Sequence, residues 1–251
     1  MAAPTRRERL RAATVDEIKR AARRLLVADG PAAMSLRAIA REMGMTAPAL
    51  YRYFPSHDAL MDELCADLNT ELTAELERAR DAVPDQPPGA RLVATCRAFR
   101  CWAVTHPAEF SFIFANTRRA EAGSPQSGEC WSKDRHSAAY EAARRFGRVF
   151  MDLIVELWST HRFPVLDAAE IPEDLRRELE RFCEVAGLDD VPVGVAYVFL
   201  SGWVRLYGLV ALEVFGHLEF AVQDVTALFE AEIAAMAREF RLPVGGADAA
   251  P

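Results

Sequence analysis

Three side chains near the start of the chain have the chemistry that nucleic-acid recognition requires. Arg37, Tyr51 and Arg52 place hydrogen-bond donors within one short stretch. An arginine can make a bidentate contact with a guanine edge or bind a phosphate, and a tyrosine hydroxyl can bind a phosphate oxygen. These residues predict a DNA-binding surface on which Arg52 contacts either a base or a phosphate.

A helix-turn-helix would hold these side chains in place, and the residue spacing predicts one. Ile39 and Met43 lie one helical turn apart, and Ala40 is small where a second helix would cross closely. Gly44 suits a turn that needs a left-handed backbone, and Leu50 can pack back on the first helix. The alternative is an ordinary helical hairpin, but the basic surroundings favour DNA binding.

The second helix of this motif is predicted to lie in the major groove of DNA. The candidate DNA-binding residues are Arg37, Thr46, Ala47, Pro48, Ala49, Tyr51, Arg52, Tyr53 and His57. The alanines and the proline can offer only apolar surface, for example to a thymine methyl group. Tyr53 either contacts DNA or packs in the core. His57 would bind a phosphate best when its imidazole is protonated.

Capping residues predict where the helices of this region begin and end. Ser35 and Thr46 are candidate N-caps for the two helices of the motif. Gly30 is expected to end the helix before them. Ser56 is expected to begin a long helix over residues 56–82.

Two capping boxes compete for the start of the first helix, Thr5-x-x-Glu8 and Thr14-x-x-Glu17. We place the helix-turn-helix domain over residues 15–68 and expect residues 1–14 to form a disordered basic arm. The arm contains Arg6, Arg7, Arg9 and Arg11. These arginines either reach a minor groove of DNA or form a solvated charge run, and we favour the charge run.

The charge and composition of the chain narrow the function classes. Residues 1–57 carry a net charge of +6 and the remainder −13, within a formal total of −7, which indicates that only the basic head meets a polyanion. Such an excess of positive charge can also arise by chance in a short segment.

With 51% hydrophobic and 27% charged residues, the chain can bury a core. No apolar stretch of about 18 residues lacks a charge, so no membrane span is expected.

The five cysteines are scattered without a CxxC pair. This arrangement supports neither a disulfide framework nor a structural zinc site, and it favours a reduced cytoplasm.

The sequence after the proline-rich break predicts a second helical domain over residues 85–243 and a frayed tail over residues 244–251. Helices are expected over residues 92–105, 109–114, 137–161, 175–185, 193–215 and 221–240. Residues 115–135 are polar and contain glycine and proline, which predicts a mobile flap. The predicted fold class is all-α, with an N-terminal three-helix helix-turn-helix domain joined by a long helix to a C-terminal helical regulatory and dimerisation bundle.

Aromatic residues of the second domain predict a pocket for a small hydrophobic effector. The candidate lining residues are Trp102, His106, Phe114, Trp158, Trp203 and Tyr207, and the candidate polar anchors are Arg100, His106, Asn116 and Arg205. A tryptophan is awkward to bury without a partner for its N–H group, although ordinary core packing is the alternative for each aromatic residue. No cofactor or metal site is expected.

Several segments together form a family pattern, namely Val15–Ile18, Ala28–Gly30, Ser35–Ala40, Gly44-Met45, Ala49–Phe54 and Leu60. Through them, residues 15–68 resemble the DNA-binding domain of TetR/AcrR-type transcriptional regulators. His57 departs from the pattern, which usually has lysine there. The segments His106–Phe110 and Trp203–His217 resemble the Trp-His-Gly (WHG) subgroup, with Tyr207 in place of the signature histidine.

The resemblance implies a homodimeric, ligand-responsive repressor that binds a palindromic operator in double-stranded DNA, in the cytoplasm at the bacterial nucleoid. The last two long helices would form the dimer interface, with core packing within one chain as the alternative. The predicted apolar face contains Val195, Val198, Phe199, Gly202, Leu206 and Leu209, extended by Leu228, Ile233 and Met236. A ligand that tilts the long helix would change the spacing of the two DNA-reading helices, which is about 34–36 Å on DNA.

Two other functions are alternatives to this interpretation. An architectural DNA-binding protein without an effector would share the basic head, but the large acidic body argues against it. An enzyme is not expected, because the sequence contains no HExxH motif, no GxSxG motif and no phosphate-binding glycine loop. The sequence does not decide between repression and activation, because the effect of DNA binding on transcription depends on where the operator lies.

Overall fold

The structure, a computed structural model, describes residues 5–114, 137–188 and 190–242. These residues form ten α-helices and no strand, which confirms the predicted fold class. The helices are α1 (Arg6–Asp29), α2 (Leu36–Glu42), α3 (Ala47–Leu50), α4 (His57–Asp81), α5 (Pro88–Thr105), α6 (Pro107–Phe114), α7 (Ala138–Thr160), α8 (Glu173–Ala186), α9 (Val193–Val214) and α10 (Thr226–Glu239). The predicted flap and the predicted tail lie outside the described residues.

Helix α1 begins earlier than expected, because the first of the two capping boxes forms. The Thr5 hydroxyl accepts a hydrogen bond from the Glu8 amide at 3.3 Å, and the Glu8 carboxylate accepts one from the Thr5 amide at 2.6 Å. The prediction of a disordered arm was therefore wrong for residues 6–14, which are helical. Thr14 lies inside α1, where its hydroxyl donates to the Leu10 carbonyl at 3.0 Å.

The turns of the helix-turn-helix follow the predicted capping residues. Gly30 ends α1 with a φ of 80°, and Gly44 forms the turn between α2 and α3 with a φ of 64°. The Ser35 hydroxyl accepts a hydrogen bond from the Ala38 amide at 3.2 Å and caps α2. The Ser56 hydroxyl caps the start of α4 in the same way. These local signals are confirmed.

Helix α3 is short, and its predicted N-cap does not form. It has one regular turn, Ala47–Leu50, and Thr46 makes no side-chain cap. The chain then continues in tighter turns, in which the Tyr53 and Phe54 amides donate to the Leu50 carbonyl at 2.9 and 3.1 Å. The backbone thus keeps a nearly helical path through the candidate DNA-binding residues.

One compact unit contains the described residues of Met1–Leu72 and His106–Phe146. Its buried side chains include Ile18, Leu26, Ile39, Leu50, Leu60, Leu64 and Phe110. Helix α6 was expected in the C-terminal domain but belongs to this unit. It contributes the buried Phe110 to the core, and its buried Glu109 carboxylate accepts a hydrogen bond from Arg23 of α1 at 3.1 Å.

The other unit contains the described residues of Thr73–Thr105 and Gly147–Pro251. One of its core clusters is formed by Ile154, Leu157, Phe163, Val195 and Val198. Helix α10 begins at Thr226 and not at residue 221 as predicted. A turn at Gly216, with a φ of 70°, and an Asp224 carboxylate that accepts from the Thr226 amide at 2.8 Å separate α9 from α10.

Helix α9 is unusually apolar. Over its most apolar window of 18 residues the mean hydropathy is 1.6, and 28% of that window is buried within the chain. By length and composition alone it is long and apolar enough to cross a membrane, although it contains Arg205. A single helix of this kind is weak support for a membrane span.

Candidate nucleic-acid interface and ligand cavity

Residues 46–53, called the α3 region, present several candidate DNA-binding side chains to solvent. Leu50 is fully buried and fixes α3 to the core of its unit, whereas Tyr51 is 53% exposed and Arg52 is also exposed. Thr46 and Pro48 are exposed too, and the two alanines of α3 are half-buried. The motif brings these residues together on one short segment. Their contact with DNA stays a prediction.

Tyr53 is half-buried under a residue of α1. The Arg11 guanidinium lies 5.3 Å from the centroid of the Tyr53 ring, and its Nη2 donates to the Arg52 carbonyl at 3.2 Å. Arg11 therefore holds the segment after α3 against α1. The predicted disordered arm included Arg11 and left this contact out, although the Thr5-x-x-Glu8 box was a signal for a helix there.

Arg37 and His57 lie on the helices that flank α3. Arg37 is exposed on α2. His57 donates from Nε2 to the Met34 carbonyl at 2.7 Å, and its Nδ1 lies 3.8 Å from the Asp58 carboxylate. The ring therefore links the start of α4 to the loop before α2, a contact that the sequence did not predict. Binding of phosphate by His57 stays a prediction for the Nδ1 edge of the ring.

Other basic residues of this unit are engaged in ion pairs. Lys19 lies 2.7 Å from Asp67, and Arg24 lies 2.7 Å from Glu42. Hydrogen bonds to Glu71 and Glu109 raise the pKa of Arg23 above its ordinary value. Because carboxylates compensate these charges, we expect the positive potential toward DNA to come from the exposed arginines of α1 and α2 and from Arg52, which follows α3.

An apolar cavity lies among α5, α7, α9 and α10, within the second unit. Its lining includes Cys96, Phe150, Phe199, Trp203, Leu206, Met236 and Phe240. Among the residues that the structure describes, no charged side chain lines this cavity. Burial raises the pKa of the Cys96 thiol to about 12, so this thiol is neutral.

Of the predicted pocket residues, Trp203 lines this cavity and Tyr207 lies next to it. The two rings stack with their centroids 5.6 Å apart. Trp158 does not line the cavity, because it packs edge-on against Phe163 at 5.2 Å and lies under the Arg162 guanidinium.

The remaining pocket candidates lie elsewhere. Trp102 is buried in α5, and the His106 carbonyl accepts from the Phe110 amide at 2.8 Å at the start of α6. Phe114 packs against Phe110 and Phe146 in the first unit, at centroid distances of 4.9 and 5.8 Å. Of the six predicted residues, Trp203 is therefore the one in the described lining of the cavity.

The predicted polar anchors have other partners. Arg100 donates to Glu213 at 2.6 and 2.7 Å, and Arg205 donates to Glu239 at 2.5 Å. Asn116 lies outside the described residues. Over residues 5–114, 137–188 and 190–242, no group of three histidine, cysteine, aspartate or glutamate side chains is arranged to hold a metal ion.

The apolar face predicted for the dimer is largely core. Val195, Val198 and Leu206 are buried within their own chain, as are Ile233 and Met236, so the alternative of intrachain packing is confirmed for them. Phe199 and Gly202 line the cavity.

A different face of α9 is exposed and apolar. Leu200, Val204 and Leu212 recur at helical spacing, and Val204 is 61% exposed. These three residues were not in the predicted dimer face, although their spacing is visible in the sequence.

The sequence of this chain matches two protein-family models. Residues 12–64 match the family model described as bacterial regulatory proteins of the tetR family. Residues 92–236 match the model described as the tetracyclin repressor-like C-terminal domain. The chain belongs to the TetR family. It is therefore a DNA-binding transcriptional regulator, and the predicted resemblance is confirmed.

Similar proteins agree with this TetR-family assignment. The HTH-type transcriptional regulator Rv1816 of Mycobacterium tuberculosis (strain ATCC 25618 / H37Rv) is 33% identical over 194 residues, which cover 77% of each chain. The solved structure of SCO4313, described as a regulatory protein, is 30% identical with a TM-score of 0.67, and the match covers 92% of this chain and 98% of that one.

A more distant structure shares the fold alone. It is RolR, solved in complex with resorcinol, with 14% identity and a TM-score of 0.55. The match covers 94% of this chain and 91% of RolR.

Proposed function

We propose that this TetR-family regulator binds a palindromic operator as a homodimer, with the α3 region of each chain in the major groove. The observation that carries the proposal is the exposure of Tyr51 and Arg52 directly beside the buried Leu50. A rigidly packed helix with outward donors is what reading a base edge requires. Arg37 on α2 would bind a phosphate or a base at the edge of the same site.

Dimer formation requires an apolar surface that two chains can bury together. Leu200, Val204 and Leu212 provide one on α9. In a two-fold arrangement the same stripe of both chains would meet, because a two-fold interface is self-complementary. We therefore assign the homodimer contact to α9, with α10 beside it.

The apolar cavity supports a small hydrophobic effector. A charged ligand would lose its hydration there without gaining a charged partner, whereas an uncharged one would exchange water for apolar contacts. Such an effector would lower operator affinity only if it bound one state of the regulator more tightly than the other. An operator that overlaps a promoter makes the DNA-bound state repressive.

We assign no enzymatic activity to this regulator and place it at the nucleoid in the bacterial cytoplasm. The thiol that lines the cavity, Cys96, is a poor nucleophile because its pKa of about 12 keeps it protonated.

Capture of sheared genomic DNA tests this proposal. The purified protein is incubated with the DNA at about 150 mM salt, and the retained fragments are sequenced. We expect one enriched palindrome for the unchanged protein and none for a Tyr51→Ala/Arg52→Ala double variant. Broad retention without a motif would instead support an architectural DNA-binding protein and contradict the proposal.

A further inference from the structure

Helix α1 has an N-terminal extension that the family match does not cover. The match to the tetR-family DNA-binding model begins at residue 12, whereas α1 begins at Arg6. We refer to residues 6–11 as the α1 extension. It contains four arginines, Arg6, Arg7, Arg9 and Arg11.

The α1 extension is a helix with a fixed position next to the DNA-reading segment. Its start is held by the reciprocal hydrogen bonds between Thr5 and Glu8. Its end is held by Arg11, which donates to the Arg52 carbonyl at 3.2 Å and covers the Tyr53 ring. Arg11 thus ties the extension directly to the residues that follow α3.

The register of the helix places a second arginine beside Arg11. Arg7 lies four residues earlier and therefore on the same face, about 6 Å further along the axis. Arg6 and Arg7 are both exposed. Glu8, the acidic residue of the extension, accepts hydrogen bonds from the Thr5 main chain and side chain, which lower its pKa. Its carboxylate is thus bound to the helix start.

We propose that the α1 extension is a second DNA-binding element, whose arginines bind backbone phosphates beside the site that the α3 region reads. The proposal rests on the proposed function, because it requires α3 to be docked on DNA. Guanidinium groups bind phosphate oxygens strongly, and such contacts add affinity without sequence information.

The helical form of the extension favours phosphates over a minor groove. Arms that enter minor grooves are extended chains. A helix with its side chains is about 10–12 Å wide, and the minor groove of B-DNA is only about 6 Å wide. The extension therefore lies along the rim of the duplex, where phosphates are accessible.

An Arg6→Ala/Arg7→Ala variant tests this proposal without disturbing the contacts of Arg11. Alanine preserves helix formation, so the fold should be unaffected. The matched control is Arg20→Ala, because Arg20 is exposed on the same helix and donates within it to the Asp16 carbonyl. Dissociation constants are measured for the captured operator and for a random duplex, each at 50 and 200 mM salt, in the range where counterion release is strong.

We expect the double variant to bind both duplexes more weakly by the same factor. Because each lost phosphate contact reduces the salt exponent by about 0.9, the affinity advantage of the unchanged protein should shrink about tenfold between the two salt concentrations. The Arg20→Ala control should keep the original salt exponent.

Two results would overturn the proposal. An unchanged salt exponent in the folded double variant would mean that the extension binds no phosphate. A loss confined to the operator would mean that it contacts bases. Equal affinity of the unchanged protein for the operator and the random duplex would instead contradict the proposed function. The salt exponents measured on the random duplex would still show whether the extension binds phosphate.

Discussion

The side chains of Arg52 and Tyr51 can be replaced with little effect on folding, so their roles in DNA binding can be measured separately. Both side chains are exposed, and the neighbouring Leu50 supplies the buried contact that holds α3 in place. The contact from Arg11 is made to the main-chain carbonyl of Arg52, so any side chain at position 52 can preserve it. Changes at these two positions therefore report on recognition.

Replacing Arg52 with alanine should weaken operator binding by about 1–3 kcal/mol if the guanidinium reads a base. In that case, specificity should relax at one base pair, as measured by titrating operators with single substitutions. Equal losses on operator and random DNA would assign the contact to a phosphate. Unchanged affinity on both would contradict a role for Arg52 in DNA binding.

Replacing Tyr51 with alanine should abolish specific binding and leave the melting temperature almost unchanged, because the side chain is 53% exposed. Tyr53→Ala is the matched control. Its ring is half-buried under Arg11, so the same substitution there should lower the melting temperature. A large drop in melting temperature for Tyr51→Ala would show that Tyr51 is part of the core.

Helices α1, α4 and α6 are joined by a cluster of charges. The Arg23 guanidinium donates to Glu71 of α4 at 2.6 and 3.1 Å and to the buried Glu109 of α6 at 3.1 Å. Removing one member of a buried ion pair is costly, because the other charge stays desolvated. This cluster therefore links α6 to α1 and α4 through one arginine, in addition to the apolar packing of Phe110.

Replacing Arg23 with glutamine should lower the free energy of unfolding by about 2–3 kcal/mol, since Glu109 is buried and Arg23 only partly so. Adding Glu109→Gln should restore part of the loss, because it removes the buried charge. Arg24→Gln is the control, and its more exposed pair with Glu42 should contribute at most about 1 kcal/mol. Urea titration measures all four proteins. Equal losses for Arg23→Gln and Arg24→Gln would contradict this account of α6.

The sequence predicted the elements whose signals are local. Ser35 and Gly44 fixed the boundaries of the helix-turn-helix, because a cap or a left-handed turn depends on its immediate neighbours. The start of α1 was missed because two capping boxes fit the same rule. The start of α10 was misplaced because Ala221 and Val222 continue an apolar pattern through a turn that Asp224 ends.

The candidate sites were predictable to different degrees for the same reason. The exposed α3 residues follow from the motif, whereas the hydrogen bond from His57 to Met34 depends on how separate segments pack. The cavity brings Phe150 together with Phe240, which are far apart in the sequence. The difficulty of burying a single tryptophan could not reveal that arrangement. Trp203 is the residue of the predicted set that lines the cavity.

At the scale of the whole molecule, α9 has two functions in the proposed mechanism. Its inner side lines the cavity through Phe199, Trp203 and Leu206, and its outer side exposes Leu200 and Val204. An effector and a second chain would thus contact opposite sides of one helix. Any coupling between their binding must be reciprocal, so a dimer would bind the effector with altered affinity.

Replacing Val204 with glutamate should produce monomers and weaken operator binding, because the charge would be buried in the proposed dimer contact. Val185→Glu on α8 is the matched control, since Val185 is 49% exposed and Val204 is 61% exposed. Sedimentation velocity should give a dimer for the control and a monomer for Val204→Glu. A Val204→Glu variant that stays dimeric would place the interface elsewhere.

Sequence-specific recognition by the α3 region is tested most directly by one ratio, the affinity for the captured operator divided by the affinity for a scrambled duplex of equal length. We predict a ratio of at least about 1,000 for the unchanged protein, as is typical of specific DNA-binding proteins. The Tyr51→Ala/Arg52→Ala variant should bring the ratio close to one. A ratio near one for the unchanged protein, or a high ratio that survives in the variant, would contradict recognition by α3.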